Sequence, residues 1–205
     1  MKKAIALLSG GIDSPVAIHL LKEKVEIIAF HCNQVELTGE EEINKVKKLA
    51  KKLKVKKLYN ISFTTLFKTL VEECRHQDYY ILSKIAMFQA AQKIAKEEGA
   101  DFLITGENLA QVSSQTLENM KTITSQIELT ILRPLLTADK QEIINKATEI
   151  GTYEISKGPE ICSLLGPKNP ATKSTVKKIE KELAKIDLNK EIETVLKNKE
   201  IISIK

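Results

Sequence analysis

The sequence predicts an α/β protein: a Rossmann-like, mainly parallel sheet with helices on both faces. Three observations predict it. An apolar run near the start, Ala4-Ile5-Ala6-Leu7-Leu8, stops abruptly at Ser9-Gly10-Gly11 and gives way to a helical pattern. Similar short apolar runs then alternate with amphipathic stretches as far as residue 150. The runs are apolar throughout rather than alternating, as in strands buried on both faces. Such βαβα order implies parallel strands that hold ligands at their carboxyl ends, and Ser9, His31 and Gly106 fall at those ends.

Taken in order, Val16, Ala17, Ile18, Leu20 and Leu21 cover the first helix, with Asp13 or Ser14 as its N-cap and Pro15 in its opening position. Residues 25–30 supply a second strand. Thr38 and Glu41 read as a capping box before a helix whose inner face is Ile43, Val46, Leu49, Ala50 and Leu53. Residues 55–61 form a third strand and 64–74 a short helix. A long helix over 78–98 turns Ile81, Ile85, Phe88, Ala91, Ile94 and Ala95 inward and ends at Gly99; residues 101–104 are a fourth strand. Residues 127–132 give a fifth. Asp139 then caps a helix closed by Gly151.

A loop holding Pro159, Pro167 and Pro170 follows, and beyond Thr172 runs a charged helical tail with Val176, Ile179, Leu183, Ile186, Ile192, Val195 and Leu196 available to dock.

Composition narrows the class. At 205 residues, 42% hydrophobic and 29% charged, the chain reads as a globular protein able to bury a core without staples. Cys32, Cys74 and Cys162 are too few and too scattered for a disulfide framework, and no apolar run reaches membrane-spanning length. A cytoplasmic chain with reduced thiols is expected. The net charge is +5, and of the 32 basic residues only Arg75 and Arg133 are arginines. That excess suits an RNA or nucleotide partner and equally a lysine-rich solvated surface.

Chemistry concentrates in two stretches. Ser9-Gly10-Gly11-Ile12-Asp13-Ser14 joins a buried strand to a helix N-terminus, where the glycines let the backbone N–H groups converge and the dipole adds positive potential. A polyphosphate fits there. The second stretch, residues 105–119, is rich in amide and hydroxyl side chains that suit a ligand-facing loop and helix start.

The first stretch resembles the SGGxDS signature of the PP-loop ATP pyrophosphatases, which cleave ATP between the α and β phosphates. Thr105-Gly106-Glu107 with Gln111-Val112 and Ser114-Gln115-Thr116 resembles the catalytic part of the tRNA 4-thiouridine synthetases. Leu132-Arg133-Pro134-Leu135, Asp139-Lys140, residues 151–156 and Pro159-Glu160-Ile161-Cys162 match that family in order, so the likeness spans about residues 1–180.

The resemblance implies an ATP site at Leu7, Leu8, Ser9, Gly10, Gly11, Asp13, Ser14, Ala29, Phe30, Lys84, Gly106 and Gln115. It implies Mg²⁺ at Asp13, and a sulfur-carrying Cys162 working with a second thiol, Cys74 or Cys32. The expected reaction is ATP-dependent thiolation of a tRNA uridine. Its partners would be tRNA, held directly or by a separate RNA-binding protein, and a cysteine desulfurase or sulfide; a homodimer through the tail is a further expectation. Residues 1–170 would be the catalytic domain and 171–205 the tail, packed on that domain or on a partner. The THUMP and rhodanese regions of the family have no counterpart in the sequence. Two alternatives stay open: an adenylating enzyme with a non-RNA acceptor, in thiamine-related sulfur transfer or amidation, and a nucleotide-binding partner subunit.

Overall fold

A computed structural model describes residues 1–109, 111–158 and 164–204. In chain order the elements are β1 (Lys3–Leu7), α1 (Asp13–Leu21), β2 (Glu26–Asn33), α2 (Val35–Thr38), α3 (Glu41–Lys52), β3 (Lys57–Ser62), α4 (Thr64–Glu73) and α5 (Tyr79–Glu98). Then come β4 (Phe102–Ile104), α6 (Leu117–Thr124), β5 (Thr130–Leu132), α7 (Lys140–Glu149), α8 (Tyr153–Ser156), α9 (Val176–Leu183), α10 (Leu188–Lys197) and β6 (Glu200–Ser203). The described strands form one sheet in the order β5-β4-β1-β2-β3-β6. All pairings are parallel except β3 with β6. The expected Rossmann-like α/β architecture is therefore the one observed.

Strand periodicity of two sorts the central residues into two cores. Ile5, Ile28, Phe30, Tyr59, Ile61 and Leu103 point to one face, against α4, α5, α6, α9 and α10. Ala4, Ala6, Leu8, Ala29, Leu58 and Ile104 point to the other, against α1, α3 and α7. The second face carries the small residues, which let Ala17 of α1 come close to the sheet. Along α5, Tyr79, Leu82, Ser83, Ala86 and Ala90 are buried in addition to the predicted stripe, because α4, α6 and α10 all lie against this helix.

Four local expectations need correction. Thr38 does not cap α3: its hydroxyl donates to Gln34 O at 3.1 Å within α2, and Glu40 is the cap position without a side-chain bond. The third strand starts at Lys57 because Val55 N–H closes the end of α3 by donating to Ala50 O at 3.0 Å. The fifth strand is only Thr130–Leu132, since the Glu128 and Leu129 amides donate to Gln92 Oε1 of α5 at 2.8 and 3.0 Å. The tail is not helical throughout. Its last segment is β6, running antiparallel along β3, with Asn60 Nδ2 donating to Glu200 Oε2 at 2.7 Å.

Candidate functional site

From β1 the chain moves through β2 to β3 on one side and then returns to β4 on the other side of β1. The connection after β1 enters α1 on one face of the sheet, and that after β4 leads toward α6 on the opposite face. A crevice opens where the order reverses, outside the carboxyl ends of the strands. Both chemistry-bearing stretches leave the sheet there.

The first loop is held in a tight fold by its own serines. Ser9 N–H donates to Ser14 Oγ at 3.0 Å, Gly11 N–H donates to Ser9 Oγ at 3.3 Å, and the two hydroxyls lie 3.1 Å apart. Ile12, rather than Asp13 or Ser14, is the N-cap of α1, and no side chain caps this helix. Its leading amides and the positive end of its dipole are left for an anion. Pro15 is the third helical residue, still within the turn where a missing N–H has no consequence. From α8, Ser156 Oγ donates to Gly11 O at 3.1 Å. Lys45 of α3 runs beside Gly10, its Cδ 3.0 Å from where a Cβ would stand.

Gly106 explains itself by space. A Cβ there would lie 2.6 Å from Ser14 N and 2.7 Å from Asp13 C, so any side chain would push β4's loop off the backbone of the first loop. The two motifs are thus in backbone contact.

Asp13 Oδ1 is buried and accepts no hydrogen bond among the described residues, while Lys140 Nζ stands 3.5 Å away. Among those residues no cluster of three or more His, Cys, Asp or Glu side chains could hold a metal ion. Mg²⁺ commonly takes one or two carboxylates and completes its shell with water and phosphate oxygens. The Asp13 oxygen, buried and without a hydrogen bond beside the Lys140 ammonium, fits that pattern.

Lys84 is not a free surface lysine. Its Nζ donates to Glu107 Oε1 at 2.7 Å, while Arg133 Nε donates to Glu107 Oε2 at 2.8 Å. Thr105 Oγ1 adds a bond to Oε2 at 3.2 Å. Burial disfavours the Glu107 charge, yet Lys84 and Arg133 outweigh it and hold the carboxyl below the usual carboxylate range. Gln115 sits in a short 3₁₀ turn, where its Oε1 accepts the Asn108 N–H at 3.4 Å.

The remaining predicted positions divide. Leu8 joins β1's loop to β2, donating its N–H to Phe30 O at 2.9 Å and accepting from His31 Nδ1 at 2.9 Å. Leu7 is half-buried against the α5 core. Ala29 and Phe30 have their side chains inside the two cores and pair with both β1 and β3, so what they would offer a ligand is backbone at the edge of the β1–β2 pairing. His31 follows one step further along β2, just past Leu7–Phe30, the last pair between β1 and β2. It is buried, its Nε2 has no partner among the described residues, and burial pushes its pKa down to about 4 despite the bond to Leu8 O. Cys162 lies outside the described residues. Of its two suggested partner thiols, Cys74 is buried and donates to Glu182 O at 3.5 Å. Burial raises the pKa of both Cys74 and Cys32, with Glu182 and Glu42 adding respectively, so neither is poised as a thiolate.

Sequence reasoning assigned no role to Lys45, Glu107, Arg133, Lys140 or Ser156. Glu107, Arg133 and Lys140 lie inside the quoted motifs, but only the fold brings them to one crevice. Ser156 also lies in a quoted motif, residues 151–156, whereas Lys45 carries no local signal.

Residues 1–188 match the sequence profile of a family described as Thiamine biosynthesis protein (ThiI). The probable tRNA sulfurtransferase of Finegoldia magna is 36% identical over 210 residues, covering 99% of this chain and 54% of its own length. That of Caldanaerobacter subterraneus is 39% identical over 209 residues, covering 98% and 54%. A crystal structure of a 4-thiouridine synthetase–RNA complex with bound ATP superimposes with a TM-score of 0.95 at 37% identity, over 100% of this chain and 55% of the other. The chain therefore spans about half the length of the relatives it matches. Since the matched profile runs through both crevice loops and into the tail, the chain belongs to the thiamine biosynthesis protein (ThiI) family.

Proposed function

We propose that this chain activates a uridine of tRNA with ATP and replaces the uridine carbonyl oxygen with sulfur. The observation that carries the reading is the backbone contact of Gly106 with Asp13 and Ser14, which joins a glycine loop and an uncapped helix start to the amide-rich stretch. Anion binding and a hydrogen-bonding wall then occupy one crevice. The named relatives, tRNA sulfurtransferases and a 4-thiouridine synthetase, add support.

In this mechanism the loop amides, the α1 N-terminus and the nearby Lys45 and Lys140 hold the departing pyrophosphate of ATP. Uridine O4 attacks the α-phosphorus and the bond to the β-phosphate oxygen breaks, giving an O4-adenylated base. A carbonyl oxygen is a poor leaving group, but AMP is a good one. A sulfur nucleophile then adds at C4 and AMP departs. Asp13 would hold Mg²⁺, which when bound supplies charge neutralisation to the leaving pyrophosphate. Leu7, Leu8, Ser9, Gly10, Gly11, Asp13, Ser14, Ala29, Phe30, Lys84, Gly106 and Gln115 remain the proposed ATP-binding set, with His31 next to Phe30 on β2. Cys162 is proposed as the sulfur carrier: a desulfurase persulfide passes its outer sulfur to it, that sulfur attacks C4 as AMP leaves, and an external thiol then attacks Cys162 Sγ, releasing the thiolated base and leaving a mixed disulfide that a second external thiol reduces.

The test is product analysis from α-labelled ATP with Mg²⁺ and sulfide, with and without bulk tRNA. AMP that needs tRNA, together with 4-thiouridine in the digested RNA, is expected. Asp13→Asn should lower AMP formation about 100-fold, while Cys162→Ser should spare AMP formation and lose thiolation supported by a desulfurase. AMP made without RNA would instead favour another acceptor.

A further inference from the structure

The Lys84–Glu107–Arg133 trio is more elaborate than holding one lysine requires. The Glu107 side chain is 5% exposed, against 17% for Lys84 and 13% for Arg133. Each cation takes a separate carboxylate oxygen, at 2.7 and 2.8 Å. The two cations also differ in freedom. Arg133 is fixed a second time, its Nη2 donating to Thr124 Oγ1 at 2.9 Å, whereas the Lys84 ammonium on its flexible stem makes only the bond to Glu107 among the described residues.

Resting on the ATP reading above, we propose that Glu107 is a positioning residue that holds the Lys84 ammonium at the crevice for the phosphates of ATP. Arg133 keeps the Glu107 carboxylate charged and in place when Lys84 turns to the nucleotide. A buried carboxylate with Lys84 as its only cation would be stranded by that turn, at the high cost of an unpaired buried charge. With Arg133 fixed on the other oxygen, the carboxylate stays paired throughout. The trio also carries one positive charge more than negative, an excess that an incoming polyanion offsets. Lys84 comes from α5, Glu107 from the loop after β4 and Arg133 from the end of β5, so the ammonium is located by three elements rather than by its own helix.

A mutant cycle on ATP affinity tests this, read by calorimetry with MgATP on the full chain. If Glu107 acts through Lys84, Glu107→Gln weakens ATP about tenfold and Lys84→Met at least as much. The double variant then binds within about twofold of Lys84→Met alone. A trio that merely braces the fold would give losses that multiply, or a Glu107→Gln chain that binds as the native one does; either overturns the proposal. Thermal melts report whether each variant is folded. Should Glu107→Gln not fold, Glu107→Asp enters the same cycle, because it keeps the charge but withdraws the carboxylate from one of its two cations. A native chain that fails to bind ATP overturns the nucleotide reading and this inference with it. ATP binding by the native chain with additive losses overturns this inference alone.

Discussion

His31 is a base held neutral in the interior. Its Nδ1 donates to Leu8 O, so in this tautomer Nε2 carries a bare lone pair with no partner among the described residues. Its pKa falls from 6.5 to about 4 on folding, so between those values the unfolded chain binds more protons than the folded one. Stability is therefore complete above pH 6.5 and declines as pH drops toward 4, by about 3 kcal/mol for this residue. His19, on the outer part of α1, is also lowered by burial and by Lys22 and acts in the same direction. Glu107, whose carboxyl is held low, adds its loss only below the ordinary carboxylate range. Urea unfolding at pH 7.5, 6 and 5 should show the decline, and His31→Gln should flatten most of it; an unchanged slope would assign the effect elsewhere. At this scale the sequence was informative about residue type and poor about role. Ser9, Asp13 and Gly106 stood out because loop and motif chemistry is local. Lys84 carried no local mark, and its partners Glu107 and Arg133 lie 23 and 49 positions along the chain from it.

Elements were legible wherever a hydrophobic period ran long enough. α5 and α7 form as expected, α7 with a capping box of Asp139 and Glu142 and a left-handed Gly151 after it. β5 was misjudged in length because a glutamine on α5 claims two amides, a contact no local pattern encodes. β6 was missed for a related reason: Ile201 is exposed, and a strand held mainly by backbone pairing to β3 leaves little trace in hydrophobicity. The docking face of α10 was readable. Ile192 is fully buried in the α5 core, and Ile201 is 48% exposed. Ile192→Ala should cost about 2–5 kcal/mol through lost burial and the cavity left behind, and Ile201→Ala less than about 1 kcal/mol. Chemical denaturation of the two variants checks both values, and equal losses would mean that the tail is not integrated into the core as described.

For the molecule as a whole, lysine dominates the positive charge, and several of those lysines are spent in surface ion pairs such as Lys146–Glu149 and Lys185–Glu182. Such pairs contribute little stability and leave a diffuse positive field rather than a fixed recognition surface. If the chain holds tRNA by that field, its affinity should fall steeply with salt, log K declining by about 0.9 per tenfold rise in salt for each duplex phosphate neutralised. Filter binding between 50 and 200 mM salt measures the slope. A salt-independent affinity would point to base contacts instead.

β6 brings the end of the described chain back to the rim of the sheet where β1 starts. Ile204 N–H donates to Lys56 O beside the start of β3, and Lys3 opens β1 at the same end of the sheet. The crevice lies at the opposite end. The two ends of the described chain are thus about 15 Å apart, three strand steps across one rim of the sheet. A linker of about five residues would join them. Closing that rim in this 205-residue chain and reopening it at Gly39, in the turn between α2 and α3, would keep every described strand pairing while making β6 an internal segment.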